Sequence, residues 1–469
     1  MSLTCAALHA GIAGTSVALH RIGTRTVPGG TMSRTCLLAP LALVATLMLC
    51  AGAVLAADPV STRALPDSMV FTPALPAADS LSRGTPVLFG LLPGDEGDWR
   101  RAPYGDDLLT HPDPWRARHP SGGWQPDVVL AYDRVDLVRY GLRLQAQRPE
   151  SMLPRLGGLL AYASGRGRTL YGVQVEQPLL PTARFALGVD ASRRTDHGDL
   201  QQTGDDENSL LLLVAHEDWR DYFEREGVGA YVSWRVPGFS TVSAHLRRDR
   251  YRSLAASGHV KSWWHTERPL RGNPAIDDGD ANRAIVRLER VAKRTPRSRS
   301  GLYHWIEFES AGGALGGDFD YSRALADVRS VLRLSPATTL TLRGVGGSAL
   351  HGAVPVQRQF TLGGVDGLRA HAFGSYRGDR VALAQLEYSI GVHAFGTRML
   401  AAGPQVLLFL DSGTAWSRAA GGSLIAQRFA TDGGVGLATA DDDMRLTWSK
   451  NLQEPDSGVM MRLSLQRPF

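Results

Sequence analysis

From about residue 127 onward the chain runs in short segments whose apolar and polar side chains alternate, with turn residues between them. A repeat of two is the repeat of a β-strand, and nothing else folds comfortably on it. In Arg184–Ser192, Phe185, Leu187, Val189 and Ala191 oppose Arg184, Ala186, Gly188 and Asp190. In Thr241–Arg247, Val242, Ala244 and Leu246 oppose Ser243, His245 and Arg247. Tyr321–Leu334 and Met444–Ser449 follow the same rule, with Arg323, Asp327, Arg329 and Arg333, and then Arg445, Thr447 and Ser449, on the polar side. One face suits lipid and the other a wet interior, as in a transmembrane barrel. A soluble sandwich also alternates, so the pattern alone leaves both folds open. Strand number and the start of the chain separate them.

Sixteen such segments are expected, at 137–146, 156–164, 169–177, 183–193, 208–216, 227–235, 240–249, 283–292, 302–310, 321–334, 338–346, 380–390, 404–411, 429–439, 443–450 and 457–467. The segment Ser209–His216 is the weakest, because its leucine run hides any alternation. An even number returns both ends to one side of the membrane. The fold class is therefore all-β, a 16-stranded antiparallel transmembrane β-barrel over 127–469. Short turns at Gly165–Arg168, Pro237-Gly238, Ser335–Ala337 and Asp441-Asp442 are placed on the periplasmic side, and the long connections 250–282, 347–379 and 412–428 outside. The stretches 194–207 and 391–402 break this rule, being long on the periplasmic side.

Residues 1–56 form a leader. Met32-Ser33-Arg34 opens it, Leu37 to Leu49 is its apolar core, and Val54-Leu55-Ala56 is a small-residue cleavage site, so a start at Met32 suffices. Cys5, Cys36 and Cys50 all lie in this leader, so the mature chain has neither disulfides nor thiolate metal sites. Leu47-Met48-Leu49 before Cys50 puts a bulky residue where a lipidation signal wants a small one. The leader also holds Arg21, Arg25 and Arg34 with no acid, which is three of the net +5 and leaves two for the rest. With no basic stripe, nucleic acid is excluded as a partner. Residues 57–126 carry Pro at a density that breaks helices and ladders, and are expected to be a mostly irregular periplasmic extension. The leader and barrel together imply export to the outer membrane, among lipid and lipopolysaccharide.

The chain ends on a strand of unusual character. Val459, Met461, Leu463 and Leu465 share one parity with the terminal Phe469. On a soluble edge this would be an aggregation hazard. It resembles instead the C-terminal signal read by outer-membrane assembly machinery.

One long connection carries a motif. It reads Gln359-Phe360-Thr361-Leu362-Gly363-Gly364-Val365-Asp366-Gly367-Leu368-Arg369-Ala370-His371, followed by Gly378-Asp379-Arg380, Leu386-Glu387-Tyr388 and Leu408-Phe409-Leu410-Asp411-Ser412-Gly413. By strand parity Glu387 and Asp411 face the interior, where an arginine on a glycine-rich loop can satisfy them with paired hydrogen bonds. Gly363, Gly364 and Gly367 allow a tight backbone. These motifs resemble the surface-antigen barrel of the BamA/TamA superfamily, closely over about 356–469 and by strand pattern before that. The resemblance implies an inward-folded sixth extracellular loop held by Arg369, five strands after it, and a weak seam between the strands at 137–146 and 457–467. The chain departs from the family pattern at Ala370 and His371, where a Gly and an aromatic are usual. Residues 57–125 also look unable to form a POTRA domain, so the chain resembles the short members of the superfamily.

The resemblance implies protein assembly, insertion or translocation across the outer membrane, with protein clients or a periplasmic partner subunit as partners. A passive channel or structural barrel is the alternative. No Ser or Cys nucleophile has the strained setting catalysis needs, so no enzyme is expected, and no cofactor or metal. Plainer readings stay open beside these. Arg369 could be a solvated loop arginine, and Glu387 and Asp411 ordinary charges of a wet lumen. Trp263, Trp264, Trp305 and Trp448 suit an interface girdle or loops, and Asp205-Asp206-Glu207 and Asp441-Asp442-Asp443 suit solvated turns.

Overall fold

The computed structural model describes residues 123–465, apart from 148–151, 181–184, 201–202, 236–239, 265–266, 268, 291–300, 336, 392–403, 419–423, 425–426 and 440–443. The leader at 1–56, the extension as far as residue 122, and Phe469 lie outside the described residues. Among the described residues, eighteen strands and one α-helix make up the framework: β1 (Gly123–Asp133), β2 (Leu137–Gln147), β3 (Arg155–Ala163), β4 (Arg168–Pro178), β5 (Phe185–His197), α1 (Asp205–Ala215), β6 (Tyr222–Arg235), β7 (Thr241–Ser253), β8 (Gly279–Arg290), β9 (Gly301–Ala311), β10 (Tyr321–Ser335), β11 (Thr338–Gly352), β12 (Phe360–Leu362), β13 (Tyr376–Gly378), β14 (Arg380–Gly391), β15 (Gln405–Trp416), β16 (Ala430–Ala438), β17 (Met444–Asn451) and β18 (Met460–Leu465). Sixteen of them pair in serial order, β1 to β11 and then β14 to β18, while β12 and β13 make a separate two-stranded hairpin. No described helix is long and apolar enough to cross a membrane.

The expected number is right through two compensating differences. Residues 208–216 are not a strand, for α1 occupies Asp205–Ala215. Its leucines are good helix formers, and Asp205, Asp206 and Glu207 stand in the first turn, where the helix dipole favours acids. The missing strand is β1, which starts at Gly123, four residues before the boundary expected at 127. Pro126 disguised it, although a proline is tolerated in an edge strand.

The exchange also reverses the sides of the early turns. With β1 added and α1 removed, 134–136, 164–167, 198–221, 254–278, 312–320, 353–379, 417–429 and 452–459 share one end of the sheet. The turn near Gly165–Arg168 therefore belongs with the long loops, not the short turns. The anomaly at 194–207 disappears into the connection 198–221, while 391–402 remains long at the short-turn end.

Burial is inside out relative to a soluble protein. Val128, Leu160, Leu246, Val459 and Met461 are each at least 60% exposed on the outer face. Arg283, Arg323, Asp327, Asp411 and Asp432 are buried on the inner one. These inner charges are paired. Arg247 meets Asp190 at 2.8 Å and Asp249 at 3.1 Å, and Arg343 meets Asp327 at 2.6 Å. Trp305 is also inside, fully buried under Arg287 at 4.2 Å, and so is not a girdle residue.

The sheet wraps around this polar interior. α1 packs on β1, and Arg462 of β18 lies 5.4 Å from the ring of Trp219, on the same connection as α1. Both ends of the sheet thus reach one loop. Among the described residues, however, no ladder joins β1 to β18.

Candidate functional site

The connection 353–379 is the sixth at the long-loop end, and it folds inward. Its stem is the β12–β13 hairpin, in which Phe360 pairs with Gly378 and Leu362 with Tyr376. Phe360, Leu362 and Leu368 are buried against Leu325, Val345, Val381, Leu383 and Ala415 of the inner wall. Each of these side chains contributes about 1.5–3 kcal/mol by leaving water. This apolar patch in an otherwise charged lumen fixes where the tip lands. Gly363 and Gly364 turn the chain there with φ of 113° and 88°, and a Cβ at Gly363 would meet the Ala372 carbonyl oxygen at 2.2 Å. Gly367 does not share this need: among the described glycines it is not in the left-handed region.

The turn delivers Arg369 to the wall. Its Nε and Nη2 each donate to Asp411 at 2.7 Å, and Nη1 donates to Glu387 at 2.9 Å. The ring of Phe409 lies beneath the guanidinium, 3.6 Å from Cζ. Phe409 and Asp411 share an inward parity on β15, so one Phe-x-Asp stretch supplies both the stacking face and the carboxylate. Asp411 also accepts from Gln385 at 3.1 Å, and Glu387 accepts from Arg445 at 3.0 Å.

The tip touches every strand that follows it. Beyond Glu387 on β14 and Asp411 on β15, the Ala370 amide donates to Asp432 of β16 at 2.7 Å. The Arg369 carbonyl accepts from Ser449 of β17 at 2.8 Å and from Arg462 of β18 at 2.9 Å. Arg462 also donates to the His371 carbonyl at 2.7 Å. His371, where the family pattern has an aromatic, packs on Tyr376 with ring centroids 5.4 Å apart and meets Asp432 at 3.1 Å.

Sequence reasoning named Arg369, Glu387 and Asp411, and the structure brings them together. It missed Gln385, Asp432, Arg445, Ser449 and Arg462. Their inward parity was legible, but parity marks dozens of positions and does not choose among them.

A second grip holds the base of the loop. Arg358 donates to Glu309 of β9 and, at 2.7 Å, to Asp199 in the 198–221 connection. Glu309 also takes Arg323 at 3.0 Å, Arg283 at 3.2 Å and the Tyr321 hydroxyl. Asp199 lies outside the spanning strands. Burial pushes its carboxyl up, but Arg323 and Arg358 outweigh that and hold it below its ordinary value.

Of the residues expected to form a C-terminal signal, Val459 and Met461 point outward and are exposed, with Leu463 and Leu465 on the same parity, while Arg462 and Ser464 face in. No group of His, Cys, Asp or Glu able to hold a metal occurs among the described residues.

A sixteen-stranded wall with a charged lumen and an inward sixth loop defines an outer-membrane β-barrel. No family model matches the chain. Over 211 residues it is 32% identical to the outer membrane protein assembly factor BamA of Nitratidesulfovibrio vulgaris, a match covering 42% of this chain and 25% of that one. The chain thus spans about a quarter of that curated relative. BamA from Haemophilus ducreyi lacking POTRA domains 1–3 superposes with a TM-score of 0.50 at 12% identity, over 73% of this chain and 70% of that one. CdiB from Acinetobacter baumannii gives a TM-score of 0.40 at 13% identity, over 73% and 59%. The chain is thus similar in sequence to BamA over part of its length, and it shares that protein's barrel fold.

Proposed function

We propose that this barrel assembles, inserts or translocates proteins at the outer membrane, with no chemical step of its own. The observation that carries this is the edge of β1. Every other neighbour in the sixteen-strand order is laddered, yet β1 and β18 share no ladder among the described residues. An unpaired strand edge is a template for another strand, and in lipid its backbone groups are costly to leave unsatisfied. The seam strand expected at 137–146 is replaced by β1, since 137–146 lies within β2 and is paired on both sides. The curated relative, named as an assembly factor, supports the same reading.

The partners of this reading are protein clients, the surrounding lipid and lipopolysaccharide, a periplasmic subunit, and the machinery that reads the last strand through Val459, Met461, Leu463, Leu465 and Phe469. Arg369, with Glu387 and Asp411, acts as a lock that keeps the sixth loop and the five strands after it in one shape while the seam works. The test is a deletion strain. Outer-membrane protein assembly should fall, and photo-crosslinkers at Val128 and Leu130 should trap client chains while those in β14 do not. Normal assembly together with planar-bilayer conductance by the purified barrel would overturn the proposal in favour of a passive channel.

A further inference from the structure

The outer edge of β1 is shortened from both ends. In the β1–β2 register Tyr132 stands opposite Val138. Val138 donates its N–H to Ser164 Oγ at 3.1 Å and accepts from the Ser164 amide at 3.0 Å, so it exchanges no bonds with Tyr132. The peptide groups of Tyr132 therefore face away from β2. Alternation of ladder pairs puts those of Val128 and Leu130 on the same outer edge. Pro126 belongs to this edge too, but it has no N–H to offer.

At the other end the edge is already occupied. The Tyr132 amide donates to Ser209 Oγ of α1 at 2.8 Å, and the Arg134 amide donates to Asp218 at 3.1 Å. Ser209 is held in place by its own bond to the Asp205 carbonyl at 2.6 Å, and Asp205 takes Arg139 of β2 at 3.0 Å. The Tyr132 hydroxyl bonds the backbone of Lys261 at 2.7 Å and 3.0 Å. These contacts tie α1, its connection and the connection 254–278 to the end of the edge, independently of Arg369.

We propose that α1 is a clamp that limits strand addition on β1 to the stretch 127–131. Two donors, the amides of Val128 and Leu130, are then left for an incoming strand. The fitting partner is a short extended segment of about four residues with alternate apolar side chains, and any longer pairing requires α1 to leave. This rests on the reading of β1 as a client acceptor.

The test uses the full barrel in nanodiscs and a synthetic photoreactive peptide with the sequence Gly458–Phe469, an amphipathic strand. Adducts should map to 127–131 in the wild type and in Ser209→Thr, which keeps the hydroxyl, and should extend to Tyr132 in Ser209→Ala. Wild-type adducts that already reach Tyr132, or the same map in all three proteins, would overturn the clamp. If no adduct forms anywhere, client acceptance by β1 fails, and the clamp is judged by amide exchange. Ser209→Ala should then speed exchange at Tyr132 at least tenfold and leave Arg134 unchanged; equal rates at Tyr132 overturn it.

Discussion

The sixth loop is fixed at two places, and they are built on different principles. At the tip one guanidinium serves two carboxylates, and among the described residues Asp411 has no other cation within hydrogen-bonding distance. At the stem three guanidiniums and a phenol converge on Glu309. Asp411 therefore depends on one cation, whereas Glu309 does not. Removing one partner of a buried pair is costly chiefly because the other charge is left alone. The same chemistry thus predicts unequal consequences at two sites only eleven residues apart, at Arg358 and Arg369.

Arg369→Ala should give the largest effect, about 3–5 kcal/mol, read as a fall in the urea midpoint of the barrel refolded into lipid vesicles. Asp411 would be buried with Gln385 as its remaining hydrogen-bond partner. Arg369→Lys should recover only part of the loss, because an ammonium cannot meet Asp411 with two parallel bonds or stack flat on Phe409. An Arg369→Ala protein as stable as the wild type would remove the lock. Arg358→Ala should cost less, about 1.5–3 kcal/mol by the same midpoint, since Glu309 keeps Arg323, Arg283 and Tyr321. A double-mutant cycle sharpens the contrast. The coupling between Arg369 and Asp411 should exceed that between Arg358 and Glu309, and the reverse order would show that redundancy is not what separates the two grips.

The tip was legible in the sequence and the stem was not, for a physical reason. Parity is a local property, so Glu387 and Asp411 could be assigned to the interior from their own strands, and Arg369 stood in a glycine-rich run that had to turn. Asp199 and Arg358 lie 159 positions apart and meet only because the sheet wraps, which no local pattern records. Register is equally hidden: Gln385, Asp411 and Asp432 form one cross-strand row, yet nothing near Asp432 announces it. The two misread elements failed through local conflict. A leucine run concealed α1, and Pro126 concealed β1, because an edge strand tolerates what a central strand cannot. Those two segments also touch each other.

The smallest effect separates the grips by pH. Asp199 touches the stem alone, and its folded carboxyl titrates below the ordinary value because Arg323 and Arg358 overcome the effect of burial. A depressed carboxylate contributes stability that is complete above the unfolded pKa of about 3.9 and is lost as pH falls through the folded value. The stability gap between wild type and Asp199→Asn should therefore be open at pH 7 and narrow toward pH 3. Arg358→Ala removes one of the two cations holding that carboxyl down, so in this background the gap at pH 7 should shrink. The Arg369→Ala background should leave the gap intact, because no contact of Asp199 passes through the tip. A gap that is flat with pH, or one that shrinks equally in both backgrounds, would mean that tip and stem act as one network and not as two.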